Sequence, residues 1–275
     1  MALVASRAIV LRNYRLGETS KVVVCYTRDH GKVRLVAKGV RKGGGRLGGA
    51  LEPMTVSSVT FYLKSGRDLS LVSRADIERR WATLRADVIR MAYAGAMLEL
   101  VDALVPDLEP DPDLFDLFEG ALCAADSAPE AELNAVLWRF ELSLARASGY
   151  SPELTRCVVC GRAEPGRLLS ARSGGLVCEE CEGRAPGGFR VSARAASALA
   201  SLASGIEETA SLSEGLSQTA RDEVGDALLR FLGEHSGTEL RLRSMRFLSQ
   251  IRRTEAASEK DEPEDVGTEE PRGKQ

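Results

Sequence analysis

The sequence predicts an α+β protein of several domains: an N-terminal β-barrel, an α-helical bundle, and a small cysteine-containing ribbon inserted into the bundle. Three observations predict this class. β-Branched runs separated by turn signals fill positions 1–80, helical periodicity begins at Trp81, and four cysteines form two C-x-x-C pairs. The chain has 275 residues, of which 44% are hydrophobic, so it is long enough to build more than one core.

The N-terminal segment, 1–80, is typical of a small closed barrel. Strands are predicted at residues 8–11, 21–27, 32–38, 54–63 and 69–72. Glycine-bearing turn signals separate them at a spacing of about ten residues. Five short strands of this kind favour an OB-fold among the small barrels. We therefore assign residues 1–80 to an OB-fold domain.

Helical periodicity replaces the strand pattern from Trp81 onward. Apolar residues recur at three- and four-residue steps from Leu84 to Leu104, and Pro106 ends this first helix. Further helices are predicted at 113–125, 133–144, 193–204 and 219–234. Residues 81–152 and 191–253 are therefore expected to be the two parts of one helical domain, interrupted by an insert at 153–190.

The insert contains the strongest motif of the chain. Cys157 and Cys160 form one C-x-x-C pair, Cys178 and Cys181 form the other, and the segment 161–177 separates the pairs. This spacing is typical of a four-thiolate zinc site on a ribbon, with a hairpin between the pairs. Two disulfides or a redox pair are the alternatives, but structural disulfides are rare in a reducing cytosol and no thioredoxin-like pattern surrounds either pair. We expect one structural zinc ion per chain.

The other two cysteines and the two histidines suggest no catalytic site. Cys25 and Cys123 are expected to be buried apolar residues. His30 and His235 are too few and too isolated for a histidine-based triad or metalloprotease site. The glycines between 43 and 49 lack the ending of a P-loop. We expect no enzymatic activity.

Charge is segregated along the chain, although the formal net charge is only −3. Residues 1–80 hold 16 Lys and Arg against 6 Asp and Glu, whereas residues 81–150 hold 4 against 13. Such segregation predicts that the barrel contacts polyanions. The carboxylates between 99 and 119 are expected on the solvated face and loop of the helical domain. The C-terminal segment, 254–275, is acidic and nearly without apolar residues, which predicts a disordered tail.

The cations of the barrel are the candidate DNA-binding residues. The two-residue period of the third strand places Lys32, Arg34 and Lys38 on one face and apolar residues on the other. A groove of this kind would follow a phosphate backbone, and Tyr14, Tyr26 or Tyr62 would stack on a base if exposed. The alternatives are a solvated sheet face and core tyrosines. The candidate set is Arg12, Arg15, Lys21, Lys32, Arg34, Lys38, Arg41, Lys42 and Arg46.

A second basic stretch covers residues 240–253, which hold five arginines and no acidic residue. As a helix, it would pack one face on the bundle and present arginines on the other. Arg241, Arg243 and Arg246 are candidates for binding an acidic partner or further phosphates. A capping helix with surface arginines is the alternative. Membrane binding is not expected, because an acidic segment follows directly and no run reaches the length of a membrane helix. We expect a cytosolic protein.

Several short motifs, taken in their order along the chain, resemble the RecO family of bacterial DNA-repair recombination mediators. The resemblance extends from about residue 4 to 250. It rests on the runs at 8–11, 17–20, 31–32, 37–41, 51–53, 140–142 and 149–152, on the four cysteines with Gly174 and Gly175, and on Arg243, Ser244, Phe247 and Leu248.

The resemblance implies an OB-fold, a helical domain and a zinc module, and a function without catalysis. It implies binding to single- and double-stranded DNA, annealing of complementary strands, and cooperation with RecR in loading RecA onto DNA coated by the single-strand-binding protein SSB. Some relatives contact the acidic, hydrophobic SSB tail through the helical domain, and RecF is a further partner in this pathway. The implied location is the nucleoid.

Two features limit the resemblance, and two other functions compete with it. Some family members lack some or all of the cysteines, which implies a structural zinc, and the acidic tail lies outside the resemblance. A zinc-ribbon transcription or RNA-binding factor is the main alternative. A protein adaptor, whose cations contact acidic proteins, is the other.

Overall fold

The computed structural model describes residues 2–40, 46–63, 69–204 and 215–261, without the side chains of residues 46 and 255–261. The N-terminal strands are β1 (Ala2–Leu16), β2 (Ser20–Thr27), β3 (Gly31–Ala37), β4 (Thr55–Leu63) and β5 (Ser70–Arg80). They close into a barrel in the order β1-β2-β3-β5-β4. Only the β3–β5 pairing is parallel among these strands. This five-stranded closed barrel confirms the predicted OB-fold, although β1 and β5 are longer than predicted.

Apolar side chains cover both faces of part of the barrel. Ala8 and Val10 point into the barrel core, whereas Ile9 and Leu11, which alternate with them on β1, pack against the helices. On β2, Val24 and Tyr26 belong to the same outer layer. Burying a large apolar side chain stabilises a fold by about 1.5–3 kcal/mol. The barrel is therefore joined to the helical domain by a shared core.

The helices begin and end at recognisable signals. In chain order they are α1 (Arg46–Ala50), α2 (Ala82–Ala86), α3 (Val88–Leu104), α4 (Pro112–Ser127), α5 (Leu133–Ala147), α6 (Ala193–Ala203), α7 (Gln218–Ser236) and α8 (Arg243–Asp261). The Asp87 carboxylate accepts the N–H groups of Ile89 and Arg90 at the start of α3. Asp111 caps α4 in the same way. These caps satisfy donors that have no partner within the helix.

Helices from both sides of the cysteine segment form one bundle. Trp138 of α5 packs with Leu199 of α6 and Phe231 of α7 in one cluster. Leu248 of α8 and Leu232 of α7 join α3, α4 and α5 in another. The predicted bundle with an insert is therefore confirmed.

The insert is a ribbon built on a short sheet. Its strands are β6 (Leu168–Ser170), β7 (Gly175–Val177) and β8 (Phe189–Arg190), in the order β7-β6-β8. Leu168 and Val177 pack beside the cysteines, whereas Leu169 and Leu176 pack on the bundle. Alternate side chains of the hairpin therefore face the cysteines and the helices, and the second set attaches the ribbon to the bundle. The predicted hairpin is confirmed, and the strand β8 was not predicted.

The prediction of disorder from residue 254 onward is wrong for residues 254–261, which continue α8. Residues 262–275 lie outside the described part of the chain. A helix that is already anchored by packing extends by one hydrogen bond per added residue, so its last turns need no buried surface of their own. None of the helices in the described ranges is long and apolar enough to span a bilayer.

Candidate functional site

The four cysteines of the ribbon form a single cluster. The Sγ atoms of Cys157, Cys160, Cys178 and Cys181 all lie within 4.8 Å of one another. Cys160 is exposed, and the other three are buried. The sulfurs form one group rather than two separate pairs, and four thiols this close together could serve as the ligands of one ion. This cluster could hold a metal ion.

Tight turns set the positions of these sulfurs. Gly161 follows the first pair with a φ of 76°, and its N–H donates to the Cys157 carbonyl over 2.8 Å. A side chain would strain this left-handed backbone. In the second turn the Cys181 N–H donates to the Cys178 carbonyl over 2.9 Å. Because this geometry is local, the spacing of the cysteines was sufficient to predict the cluster.

The surroundings of the thiols fit a cation. Burial opposes ionisation of Cys157, but backbone N–H groups, led by that of Cys178 at 3.3 Å, outweigh it and lower the pKa of Cys157 to about 6. Burial, together with hydrogen bonds to the other thiols, raises the pKa of Cys178 to about 12. Four thiols packed this closely cannot all ionise without a compensating positive charge. A bound metal ion would supply that charge.

The predicted cationic face of β3 is not a free surface. The Lys32 side chain is only 8% exposed, and its Nζ lies 3.4 Å from Asp107 Oδ1 and donates to the Asp102 carbonyl over 2.5 Å. Arg34 pairs with the other oxygen of Asp107 over 2.9 Å. Arg12 pairs with the Asp102 carboxylate over 2.6 Å. These three cations contact the helical domain, which corrects the prediction of a solvent-facing groove at these positions.

Further ion pairs join the two domains and were missed at the sequence level. Arg7 pairs with Glu119 over 3.0 Å, and Arg79 approaches the same carboxylate. Arg28 pairs with Asp116 over 2.8 Å, which lowers the pKa of Asp116. The carboxylates between 99 and 119 are therefore not simply a solvated face. In the sequence, these pairs were indicated by the opposite net charges of residues 1–80 and 81–150. We refer to all these contacts as the interdomain ion-pair network: Arg7, Arg12, Arg28, Lys32, Arg34 and Arg79 with Asp102, Asp107, Asp116 and Glu119.

Three of the remaining candidates, Arg15, Lys21 and Lys38, lie at one end of the barrel. Arg15 and Lys21 are partners across β1 and β2, Lys21 is opposite Ala37, and Lys38 follows directly. Lys21 pairs with Glu52 over 2.7 Å. Arg15 and Lys38 are exposed and have no ion-pair partner within the described ranges. We call these two residues the barrel-end cations. Arg41 and Lys42 lie outside the described residues, as does the side chain of Arg46.

The tyrosines differ in their exposure. Tyr26 is fully buried, and its hydroxyl donates to the Asp111 carbonyl. Tyr62 is half-buried, whereas Tyr14 is 44% exposed. The Arg12 guanidinium lies 5.6 Å from the centre of the Tyr14 ring. Of the three candidate tyrosines, all of which the structure describes, Tyr14 is the exposed one.

The basic stretch at 240–253 forms the start of α8, and its first three residues precede the helix. Leu242 and Leu248 are buried, whereas Arg243, Arg246 and Arg253 are exposed. Arg241 pairs with Glu239 on the surface. The predicted division into a packed face and an arginine face is therefore confirmed.

The two remaining cysteines have different surroundings. Cys25 is buried as predicted, and burial raises its pKa to about 12. Cys123 is only partly buried, and its sulfur accepts hydrogen bonds from Arg79 and Trp81. The expectation of a buried apolar Cys123 is therefore only partly met, because the residue packs against the core but its sulfur accepts hydrogen bonds from polar side chains.

Comparisons with known proteins agree with this architecture. The family described as Recombination protein O N terminal matches residues 1–80, and the family described as Recombination protein O C terminal matches residues 85–245. A DNA repair protein RecO of Anaeromyxobacter dehalogenans (strain 2CP-C) is 39% identical over 248 residues, which cover 88% of this chain and 94% of the relative. A DNA repair protein RecO of Bacillus pumilus (strain SAFR-032) is 30% identical over 249 residues, with 90% and 94% coverage. The chain therefore belongs to the RecO family of DNA repair proteins.

Proposed function

We propose that this protein is a non-enzymatic recombination mediator that binds single- and double-stranded DNA and anneals complementary strands. With RecR it helps to load RecA onto DNA coated by SSB, and RecF acts in the same pathway. The observation that carries the proposal is that the two barrel-end cations are exposed, without an ion-pair partner among the described residues, on an OB-fold of the RecO family. A nucleoid location in the cytoplasm follows from this function.

The barrel end suits a phosphate backbone because Arg15 and Lys38 are exposed and have no carboxylate partner in the described part of the chain. The cations of the interdomain network already have carboxylate partners, so DNA would have to displace those partners. Arg15 and Lys38 would only release counterions. OB-folds use the loops at this end and the face of strands 2 and 3 for nucleic acids. We therefore place the DNA contact at Arg15, Lys38 and the exposed Tyr14, with Lys21 beside them.

DNA binding is tested by fluorescence anisotropy of labelled oligodeoxythymidylate over a series of salt concentrations. The wild type should bind with little sequence preference, and its affinity should fall steeply with salt. Arg15→Glu combined with Lys38→Glu should weaken binding strongly. Arg146→Glu combined with Arg194→Glu reverses two exposed cations on helices and is the matched control. Equal affinity of both double variants would contradict the barrel-end assignment, and a strong preference for RNA would favour a ribbon-containing RNA-binding factor.

Annealing and loading need their own test. SSB-coated complementary strands should anneal faster with the wild-type protein than without it, and RecR with RecA should form filaments on the coated strand only when this protein is added. The Arg15→Glu, Lys38→Glu variant should be deficient in both assays. DNA binding without any effect on annealing or loading would refute the mediator role and leave a simple DNA-binding protein.

The helical domain offers a groove for the SSB tail. A cavity of about 240 Å³ between α4 and α5 is lined by Leu117, Ala121, Val136 and Phe140, with Arg139 also at its surface. An acidic peptide with an apolar end matches this combination of a cation and an apolar lining. Arg139→Glu should abolish binding of an SSB-tail peptide and leave binding to free DNA intact. Unchanged peptide binding would place the contact elsewhere.

The cysteine cluster is assigned one structural zinc ion. Four thiolates leave no open coordination position for water, so a catalytic role is not expected. Elemental analysis of protein purified without chelator should find about one zinc per chain. Cys178→Ala should lose the metal, whereas Cys25→Ser combined with Cys123→Ser should keep it. A metal-free wild-type protein with reduced thiols would contradict the assignment.

A further inference from the structure

The exposed face of α8 carries positive charge. Arg243, Arg246 and Arg253 are exposed, and none has an ion-pair partner among the side chains that the structure describes. At 100° per residue they share one side of the helix with Gln250. Arg252, by contrast, is only partly exposed. On the barrel, by contrast, most cations of the outer strand faces form ion pairs with carboxylates.

An exposed aromatic side chain lies on the edge of the same face. Phe247 is 52% exposed and lies about one helical turn after Arg243. No packing function accounts for it, since Leu248 and Leu242 already anchor α8 to the bundle. Arginines for phosphates and an aromatic ring for bases are the combination that binds single-stranded nucleic acid without sequence preference.

The helix that carries this face is held rigidly. The Glu99 carboxylate of α3 accepts the N–H groups of Arg243 and Ser244 and the Ser244 hydroxyl, at 2.6–3.2 Å. Gly95 of α3 allows the close contact, because a Cβ at this position would lie 2.3 Å from Ser244 Oγ. The first turn of α8 is therefore capped and fixed, so its amide groups are not themselves available to an anion.

The start of α8 also lies near the barrel. A Cβ at Gly95 would have both Ser244 and Met54 as neighbours, and Met54 directly precedes β4. Its N–H donates to the Val10 carbonyl of β1. Glu52, two residues before Met54, accepts a hydrogen bond from Lys21 at the cationic end of the barrel. The start of α8 is therefore connected to the cationic end of the barrel through Gly95, the segment 52–54 and Lys21.

We infer that the face formed by Arg243, Arg246, Phe247 and Arg253 is a second binding surface for single-stranded DNA, which extends the contact made by the barrel. The inference rests on the proposed function and names an additional part of the same interface. Charge complementarity favours a polyanion, and the exposed ring favours bases over an acidic protein. Arginine contacts bind the phosphates, and Phe247 stacks on a base.

The two kinds of contact predict different salt dependence. Replacing Arg243, Arg246 and Arg253 by glutamine should make the slope of log affinity against log salt less steep by about 2, because each phosphate contact to a single strand contributes about 0.7. Phe247→Ala should weaken binding about 10-fold at every salt concentration and leave the slope unchanged. Phe247→Tyr, which keeps a stacking ring, should restore affinity.

The full-length protein and labelled oligodeoxythymidylate of increasing length are used for the measurement. The control is Arg146→Gln, Arg156→Gln and Arg194→Gln, which removes three exposed cations elsewhere and should keep the wild-type slope. Circular dichroism verifies that each variant is folded. If the wild type binds DNA but the α8 variants match the control, the α8 surface is refuted and the barrel proposal stands. If the wild type does not bind DNA, the proposed function itself fails.

An acidic protein partner is the competing occupant, and the same variants exclude or reveal it. A poly-glutamate peptide is titrated against the wild type and the arginine variant. Tight binding that the arginine variant loses, combined with unchanged DNA affinity, would overturn the inference in favour of an acidic partner. Loss of DNA affinity with the predicted change of slope would support it.

Discussion

Asp107→Asn tests the interdomain ion-pair network most sharply, because this one carboxylate serves two cations. Lys32 lies 3.4 Å from one oxygen and Arg34 lies 2.9 Å from the other. The substitution keeps the size of the side chain and removes its charge. Lys32 would then remain almost fully buried beside neutral oxygen acceptors, among them the Asp102 carbonyl, and its charge would lose the Asp107 carboxylate.

The expected loss of stability follows from the burial of the pair. Removing one partner of a fully buried pair costs about 3–5 kcal/mol, and removing an exposed pair costs about 1 kcal/mol or less. Lys32 is buried, but the Asp107 side chain is 39% exposed, so an intermediate value of about 2–3 kcal/mol applies. For a chain of this size that corresponds to a decrease in Tm of about 5–10 °C.

Thermal unfolding followed by circular dichroism measures this decrease. Asp116→Asn is the matched control, because Arg28 and Asp116 form an interdomain pair that is exposed on both sides. Its loss should leave Tm nearly unchanged, because solvent screens an exposed pair. A wild-type Tm for Asp107→Asn, or an equal decrease for both variants, would refute a buried electrostatic contact between barrel and helices.

Three further predictions concern the helical domain and the ribbon. Glu141 is fully buried, and burial raises its pKa well above the ordinary value. The folded state therefore keeps a proton that the unfolded state releases, so stability should fall as pH rises above about 4.3. Glu141→Gln should raise Tm at pH 7 and leave it unchanged near pH 3.5, and a higher Tm at both pH values would contradict this. Gly95→Ala should cost about 1–3 kcal/mol in chemical denaturation, because the new Cβ meets Ser244, and an unchanged midpoint would show that α8 shifts freely. Metal chelation should make residues 153–190 sensitive to protease and leave the barrel intact, whereas uniform resistance would contradict a metal-dependent ribbon.

Local geometry explains what the sequence predicted well. The C-x-x-C spacing determines where the sulfurs of Cys157 and Cys160 point, whatever the rest of the chain does. The alternation at 33, 35 and 37 likewise identified the inner face of β3, and all three residues are buried. Helix periodicity located the bundle for the same reason, since neighbours three and four residues apart share a face.

The sequence did not predict the ion pairs between the barrel and the helices, because these join segments that are distant along the chain. Alternation along β3 shows that Lys32 and Arg34 share the outer face, but it does not reveal what covers that face. Their partner, Asp107, lies far along the chain, after α3. The opposite charges of 1–80 and 81–150 were visible, but excess charge alone does not distinguish an external polyanion from another domain of the same chain. In the structure, part of the cationic excess of the barrel is neutralised within the molecule.

The central claim is that some barrel cations, such as Lys32, pair with the helical domain, whereas others, such as Lys38, contact DNA. Lysine acetylation followed by mass spectrometry, with and without oligodeoxythymidylate, tests this claim most directly. Lys38 is exposed, so it should react readily in the free protein and be protected by DNA. Lys32 is buried beside Asp107, so it should react slowly in both states. Rapid acetylation of Lys32 that DNA suppresses, with Lys38 unaffected by DNA, would contradict the account.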